Sequence, residues 1–385
     1  MKLLYCANDP VPFPKGAGVR IEATVRALQK AGAEVTLLTP KVGVPEGFPE
    51  RLEGLDHRPV EVGPGESPFL ERALRFRRAV EEVLASQPWS LFWFRSPWEG
   101  MAALRCQSAV PLLYEAHGFP SMELPHHFPA LYEEPEFLGR LAWEEQQLLQ
   151  RAQLVLTPSQ TGRRFLSTRG VSAQKVRVVP NSAAQEAFLE RHEGPGLQLI
   201  YTGTLAPWQG LEMLLEALLH LKGKLELELL LVGTRKGRWT RPLRSLAQQL
   251  RVRSLIRFEG PFQAPELRQY LSRAHIGVAP LPSDPRNTVQ GCCPIKLVEF
   301  MAAGLPILST RLPVVEELVE HQRSAWLVRP NSPYALAQGI LKLADDPALR
   351  QSLGQAAQQR AREQLHRSHF ETSLAQILAQ LTGGG

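Results

Sequence analysis

The sequence predicts an α/β protein built from two doubly wound domains, on three observations. Short apolar runs alternate with amphipathic segments along the whole chain, the pattern that places helices between parallel strands. The runs are apolar at consecutive positions, as strands buried on both faces require. At 385 residues the chain has room for two domains at roughly 100–200 residues each. The polar stretch 181–196, closing on Glu-Gly-Pro-Gly, is linker chemistry between them.

Strands are expected at 2–6, 34–39, 90–94, 110–115, 153–157 and 176–179, with helices over 20–31 and 68–85. The second half repeats the scheme, with strands at 198–202, 225–232, 255–259, 276–279, 305–309 and 325–328. Its helices are expected at 211–221, 242–250, 265–272, 295–303 and 333–343, followed by a helical tail after Pro347. The expected domains are 1–185 and 186–365, with a terminal helical segment 366–385 packing back on the first domain. The segment 119–131, rich in Pro, His and Phe, reads as an irregular, acceptor-side loop that could touch a membrane. Of the aromatic cluster around one strand, alternation puts Phe92 and Phe94 on one face and Trp93 on the other, as core.

The net charge of +6 is unevenly placed. Residues 1–190 carry 21 basic and 22 acidic side chains, and residues 191–385 carry 23 and 16, so the excess lies in the second half. No nucleic-acid recognition motif accompanies it. Arg75 and Arg78 share a helix face, a solvated patch or a docking surface for a lipid acceptor. The four cysteines show no metal-ligand spacing and suit a reducing compartment. The N-terminal apolar run is too short for a signal core, and no run reaches a membrane span. A cytoplasmic protein, with peripheral contact at the inner membrane face left open, is the expectation.

The most informative stretch is GCCPIKLVEFMAAGLPIL from Gly291. Pro294 suits the first position of a helix whose first turn would present the backbone N–H groups of Ile295, Lys296 and Leu297. That is an anion site at the positive end of a helix dipole, and Lys296 adds a full charge. Glu299, one turn on, can accept two hydroxyl hydrogen bonds, as from a ribose diol. A diphosphate site beside a diol acceptor describes a nucleoside diphosphate; a capped helix with an exposed Lys–Glu pair is the plain alternative.

PIKLVEFMAAGLPIL resembles the signature P-x-K-x-x-E-[FY]-M-A-x-G-x-P of one branch of the retaining GT-B glycosyltransferases of family 4. YTGTLAPWQGLEMLLEAL, LLLVGT, RFEGPF, YLSRAHIGVAPLPS, LVLTPSQTGRRFL and VRVVPNS also match the family, in its order. The resemblance implies a GT-B fold: two Rossmann-like domains facing a central cleft, the acceptor bound by the first and a nucleotide sugar by the second. It implies metal-independent transfer of a hexose-type unit with retention of configuration, and no cofactor. Carried over, Ile295, Lys296 and Leu297 hold the donor diphosphate and Glu299 the ribose. His117, ending an apolar strand in YEAHG, is placed near the donor sugar and acceptor, with Glu115 on the same face to orient it. The glycine-rich PKGAGVR would bring Gly16, Gly18 and Arg20 to a phosphate or an acceptor anion.

Three positions depart from the family pattern. Gly291 stands where a sugar-reading Glu is usual, and Thr204 and Gln209 stand where Arg or Lys is common. The leaving diphosphate then needs other cations: Lys296 first, and after it Arg235 and Lys236 of the cluster RKGRWTRPLR. Arg241 and Arg244 in that cluster read as a solvated face. These departures leave a catalytically degenerate binding or scaffold protein as the alternative. An epimerase or phosphorylase of the same fold is a further one.

Overall fold

A computed structural model describes residues 1–12, 16–41, 52–63, 68–233 and 239–382. Its contacts divide the chain into two units. The first comprises residues 1–180, Val289–Cys292 and the chain from Phe370 on; the second comprises Asn181–Thr288 and Cys293–His369. The sequence had drawn these divisions at 185/186 and 365/366.

The first unit contains, in chain order, β1 (Lys2–Cys6), α1 (Gly16–Lys30), β2 (Glu34–Lys41), β3 (Asp56–Glu61), α2 (Phe69–Ser86), β4 (Leu91–Phe94) and α3 (Pro97–Arg105). It continues through β5 (Leu112–Glu115), α4 (Pro120–His127), α5 (Pro135–Arg151), β6 (Leu154–Thr157), α6 (Gln160–Thr168) and β7 (Val176–Val178). The seven strands form a parallel sheet in the order β3-β2-β1-β4-β5-β6-β7. Successive side chains leave opposite faces of a strand. Phe92, Phe94, Leu112 and Tyr114 therefore build one core layer, and Leu91, Trp93 and Leu113 the other.

The second unit contains β8 (Gln198–Thr202), α7 (Leu211–Leu221), β9 (Glu228–Val232), α8 (Thr240–Gln249), β10 (Ile256–Glu259), α9 (Ala264–Arg273) and β11 (Ile276–Ala279). α10 (Ile295–Ala302), β12 (Ile307–Thr310), α11 (Pro313–Glu316), β13 (Trp326–Val328), α12 (Pro333–Ala344) and α13 (Pro347–Gln364) follow. This sheet is also parallel, in the order β10-β9-β8-β11-β12-β13. The last helix, α14 (Arg367–Thr382), buries Phe370, Leu374, Ile377 and Leu378 in the first unit's core beside Leu3, Tyr5 and Ile21.

Two segments differ from expectation. β3 is absent from the sequence reading because DHRPVE is an edge strand, polar and carrying Pro59, as exposed sheet edges tolerate. The stretch 119–131 is not irregular. It forms α4 and then a 3-10 turn over Pro129–Glu133. Pro120 occupies the first turn of α4, and Pro125 gives up one backbone bond while it and Leu124 are buried. The helical tail breaks where the amide of Ala183 donates to the Leu365 carbonyl and the amide of Arg367 to the Ala183 carbonyl, both at 2.8 Å. The patch on α2 is partly neutralised within the helix, since Arg75 pairs with Glu71 at 2.5 Å. Among the described residues no helix is long and apolar enough to cross a membrane.

Candidate functional site

In open α/β sheets a ligand crevice forms at the carboxyl ends of the strands where the strand order reverses. In the second unit that point lies between β8 and β11. β8 ends at Thr202, and Gly203 turns the chain with a φ of +126°, a conformation suited to glycine. The following loop is pinned at Gly210 (φ +72°), where a Cβ would lie 1.7 Å from the Pro280 carbonyl oxygen. α10 aims Lys296 at this loop.

Lys296 is buried. Its Nζ donates to the Tyr201 hydroxyl at 3.0 Å and to Gln209 Oε1, and it lies 4.2 Å from the centre of the Tyr201 ring. The Tyr201 hydroxyl donates to the Thr204 carbonyl at 2.7 Å. The ammonium therefore reaches position 209, where the sequence lacks the expected cation, and neutral oxygens orient it there. Glu299 is half-buried and accepts from Thr202 Oγ1 at 3.1 Å. Burial raises its carboxyl to about 7, against the opposing effects of the Thr202 hydrogen bond and the Lys296 charge. The exposed Lys–Glu pair is thus not what forms: the two side chains go to different partners.

Two details of the sequence reading change. Pro294 is the N-cap of α10 rather than its first residue. The Leu297 amide donates to the Pro294 carbonyl at 3.0 Å, so it is not open to an anion. Ile295 and Lys296 remain at the positive end of the helix, and Thr204 is exposed in the loop that follows β8. Arg235, Lys236 and Arg238 lie outside the described residues. Arg241 is exposed, and Arg244 packs its guanidinium over Phe258 at 4.1 Å.

Gly291 belongs by its contacts to the first unit. Its φ is +85°, and a Cβ would meet the Gly162 nitrogen at 2.3 Å and Ser159 Oγ at 2.6 Å. Gln290 beside it is buried, accepting from the Phe119 amide at 3.1 Å and donating to Glu123 at 2.8 Å. A glutamate cannot replace Gly291 on this backbone, so the departure from the family pattern is built into the fold.

In the first unit the strand order reverses between β1 and β4. Glu115, ending β5, is fully buried and accepts from Arg20 Nε (2.9 Å), the Tyr5 hydroxyl (2.8 Å), Trp93 Nε1 (2.9 Å) and His117 Nε2 (2.7 Å). Burial alone would raise its carboxyl; Arg20, His117 and Arg95 hold it well below the usual carboxylate range. His117 is pushed down to about 4 by burial and by Arg95, against the pull of Glu115. It is therefore neutral near pH 7. With Nε2–H donated to the Glu115 carboxylate, Nδ1 is left as an acceptor.

Arg20, expected from the sequence to reach a phosphate or an acceptor anion, does not do so. It is buried, donates to Glu115 and to the Pro180 carbonyl (2.6 Å), and lies 4.4 Å over the Phe370 ring. It anchors the interior instead of meeting a phosphate. Gly16 and Gly18 fall in the first turn of α1 rather than in a loop before it. The sequence reading also missed Asp9 and Arg95, which follow β1 and β4 and pair at 3.0 Å. Charged residues within three positions of the apolar runs LLYC and LFWF were the available signal.

Two family models match the chain. Residues 15–182 match a glycosyl transferase 4-like domain, and residues 196–346 match the glycosyl transferases group 1. WcaL of Salmonella typhimurium, a glycosyltransferase assigned to colanic acid biosynthesis, is 29% identical over 250 residues, covering 64% of this chain. The matched stretch spans 60% of that relative's length. Among solved structures, sucrose-phosphate synthase from Thermosynechococcus elongatus superposes with a TM-score of 0.84 at 20% identity, covering 100% of both chains. HepE of Anabaena, solved with UDP-glucose, gives 0.74 at 18% identity over 99% of this chain and 100% of its own. These likenesses bear out the GT-B fold, two Rossmann-like units. With both halves matched in order, the chain belongs to the group 1 glycosyltransferases, its first unit a family-4-like domain.

Proposed function

We propose that the protein transfers a hexose-type unit from a nucleoside diphosphate sugar to a hydroxyl acceptor, with retention of configuration and without a metal ion. The observation that carries this reading is the arrangement at the β8/β11 switch point. A buried ammonium, a helix N-terminus and a carboxylate one turn further along lie on one short helix. Ile295 and Lys296 would meet the diphosphate, and Glu299 the ribose hydroxyls. Breaking the bond to the leaving diphosphate builds negative charge, which preorganised positive charge stabilises. Lys296, already oriented by Tyr201 and Gln209, is the group of this chain for that task. His117, neutral and held by Glu115, would present Nδ1 to a sugar hydroxyl. The UDP-glucose held by HepE supports a nucleotide sugar as donor.

The test is a panel of UDP-, GDP- and ADP-linked hexoses, measuring binding by calorimetry and release of the nucleoside diphosphate. Binding of at least one donor, with turnover lost in Lys296→Met, is expected. Absence of binding at millimolar concentration across the panel would overturn the reading. Thr204, Gln209 and Gly291 favour a second one, a binding or scaffold protein of the same fold. Under it a donor would bind without turnover, and Lys296→Met would leave the cellular phenotype intact.

A further inference from the structure

The carboxyl edge of the first unit's sheet carries one polar residue after each of three adjacent strands: Asp9 after β1, Arg95 after β4 and His117 after β5. Between β1 and β4 lies the switch point, and the ion pair from Arg95 Nη1 to Asp9 Oδ2 spans it at 3.0 Å. The pair is lopsided in exposure. The Arg95 side chain is only 6% exposed, whereas Asp9 is 47% exposed. Arg95 Nε is buried without a hydrogen-bond partner among the described residues, an arrangement that costs free energy. Asp9 is the Arg95 partner that faces solvent, because Glu115 and Glu99, the other carboxylates near Arg95, are buried.

Among the described residues, two hydrogen-bond acceptors stand at this edge. One is the Asp9 carboxylate and the other is Nδ1 of His117, whose Nε2 is committed to Glu115. The only cation in the group lies behind Asp9. An incoming phosphate or carboxylate would face the Asp9 charge before it could reach Arg95, whereas hydroxyl groups can donate to both acceptors. We infer that Asp9, held in place by Arg95, is the specificity-determining residue of the acceptor subsite, and that the acceptor is a neutral polyhydroxyl compound rather than a phosphorylated or carboxylated one. Asp9 acts by direct contact with the acceptor hydroxyl, and Arg95 is a positioning residue. The inference rests on the proposed glycosyl transfer and narrows its acceptor.

The experiment uses the full chain with its best donor from the panel and p-nitrophenyl hexosides as neutral acceptors. Their 6-phosphates and the corresponding uronides are the charged arm. The wild type is expected to prefer the neutral arm by about tenfold or more in kcat/KM. Since hydrogen bonds to a charged group are the stronger kind, Asp9→Asn should raise the neutral acceptor's KM by about tenfold. The donor dissociation constant should stay the same, and the preference over the charged arm should shrink. Arg95→Lys keeps the charge but loses the fixed fork, and should raise the same KM by a smaller factor. A purely structural ion pair would instead lower the melting temperature of both variants and leave acceptor KM in place; that result overturns the inference. So does a wild type that prefers the charged arm. Failure of the wild type to bind any donor would overturn the glycosyl-transfer reading itself, and is recognised by calorimetry before any acceptor is added.

Discussion

The two switch points handle buried charge in opposite ways. At the first, Glu115 receives hydrogen bonds from Arg20, Tyr5, Trp93 and His117, and its carboxyl is held low. At the second, Glu299 receives a side-chain hydrogen bond from Thr202, and its carboxyl is raised to about 7. Lys296 there is held by a phenol and an amide. A carboxylate saturated with donors organises the fold, because removing any partner strands the others in a low-dielectric interior. A carboxylate with few donors has capacity left for a ligand. The difference suggests that charge at the first edge is mostly architectural, with Asp9 as the group still open to solvent, while the second edge is under-satisfied until a donor arrives.

The comparison can be broken most decisively at Glu115. Glu115→Ala leaves the buried guanidinium of Arg20 without its counter-ion, a loss worth about 3–5 kcal/mol. Denaturant unfolding should register that loss. A change below 1 kcal/mol would mean that Glu115 is not architectural. The second substitution is Lys296→Met, which should reduce turnover by roughly 100-fold, or about 3 kcal/mol of barrier. Folding should be little affected, because the Lys296 partners Tyr201 and Gln209 are neutral and already bonded to each other at 3.3 Å; steady-state kinetics with thermal melting separates the two effects.

The smallest effect sharpens the contrast through pH. With its carboxyl raised to about 7, Glu299 holds a proton more tightly in the folded chain than in the unfolded one. Its contribution to stability is therefore present at low pH and is lost as pH rises through about 7. Ribose hydroxyls favour the ionised form, so donor affinity should strengthen as pH rises across the same range. Glu299→Gln should flatten that dependence and weaken donor binding about tenfold at pH 8, the loss of hydrogen bonds to a charged acceptor. His117, already neutral above about 4 in the folded chain, adds no step to donor binding between pH 5 and 8. Calorimetric titrations at pH 6, 7 and 8 give the answer, and a flat wild-type profile would contradict it.

Much of the architecture was legible in the sequence because it depends on local patterning. The strands 2–6, 198–202 and 276–279 and the helix 211–221 have the expected bounds. An apolar run of that length between turn residues has few other ways to be buried. β3 was not legible, since an edge strand needs neither apolar alternation nor freedom from proline. α4 was hidden by Pro125, whose cost is met only once Leu124 and its neighbours pack. The family-level identity was legible too, because motifs in fixed order survive where overall identity is low.

Local patterning was enough to specify the pair of parallel α/β units and, in α10, a lysine, a helix start and a glutamate at fixed spacing. These follow from periodicity and helix geometry, which act over a few residues. Which partner each side chain takes was decided only by the tertiary structure. Arg20 and Glu115 are 95 positions apart, and Lys296 and Gln209 are 87 apart, so no local pattern could link them. Folding brought Arg20 inward as a counter-ion, closed Gly291 against Gly162, and paired Asp9 with Arg95 across a strand junction. Burial then fixed which charges are neutralised within the protein and which remain for a ligand.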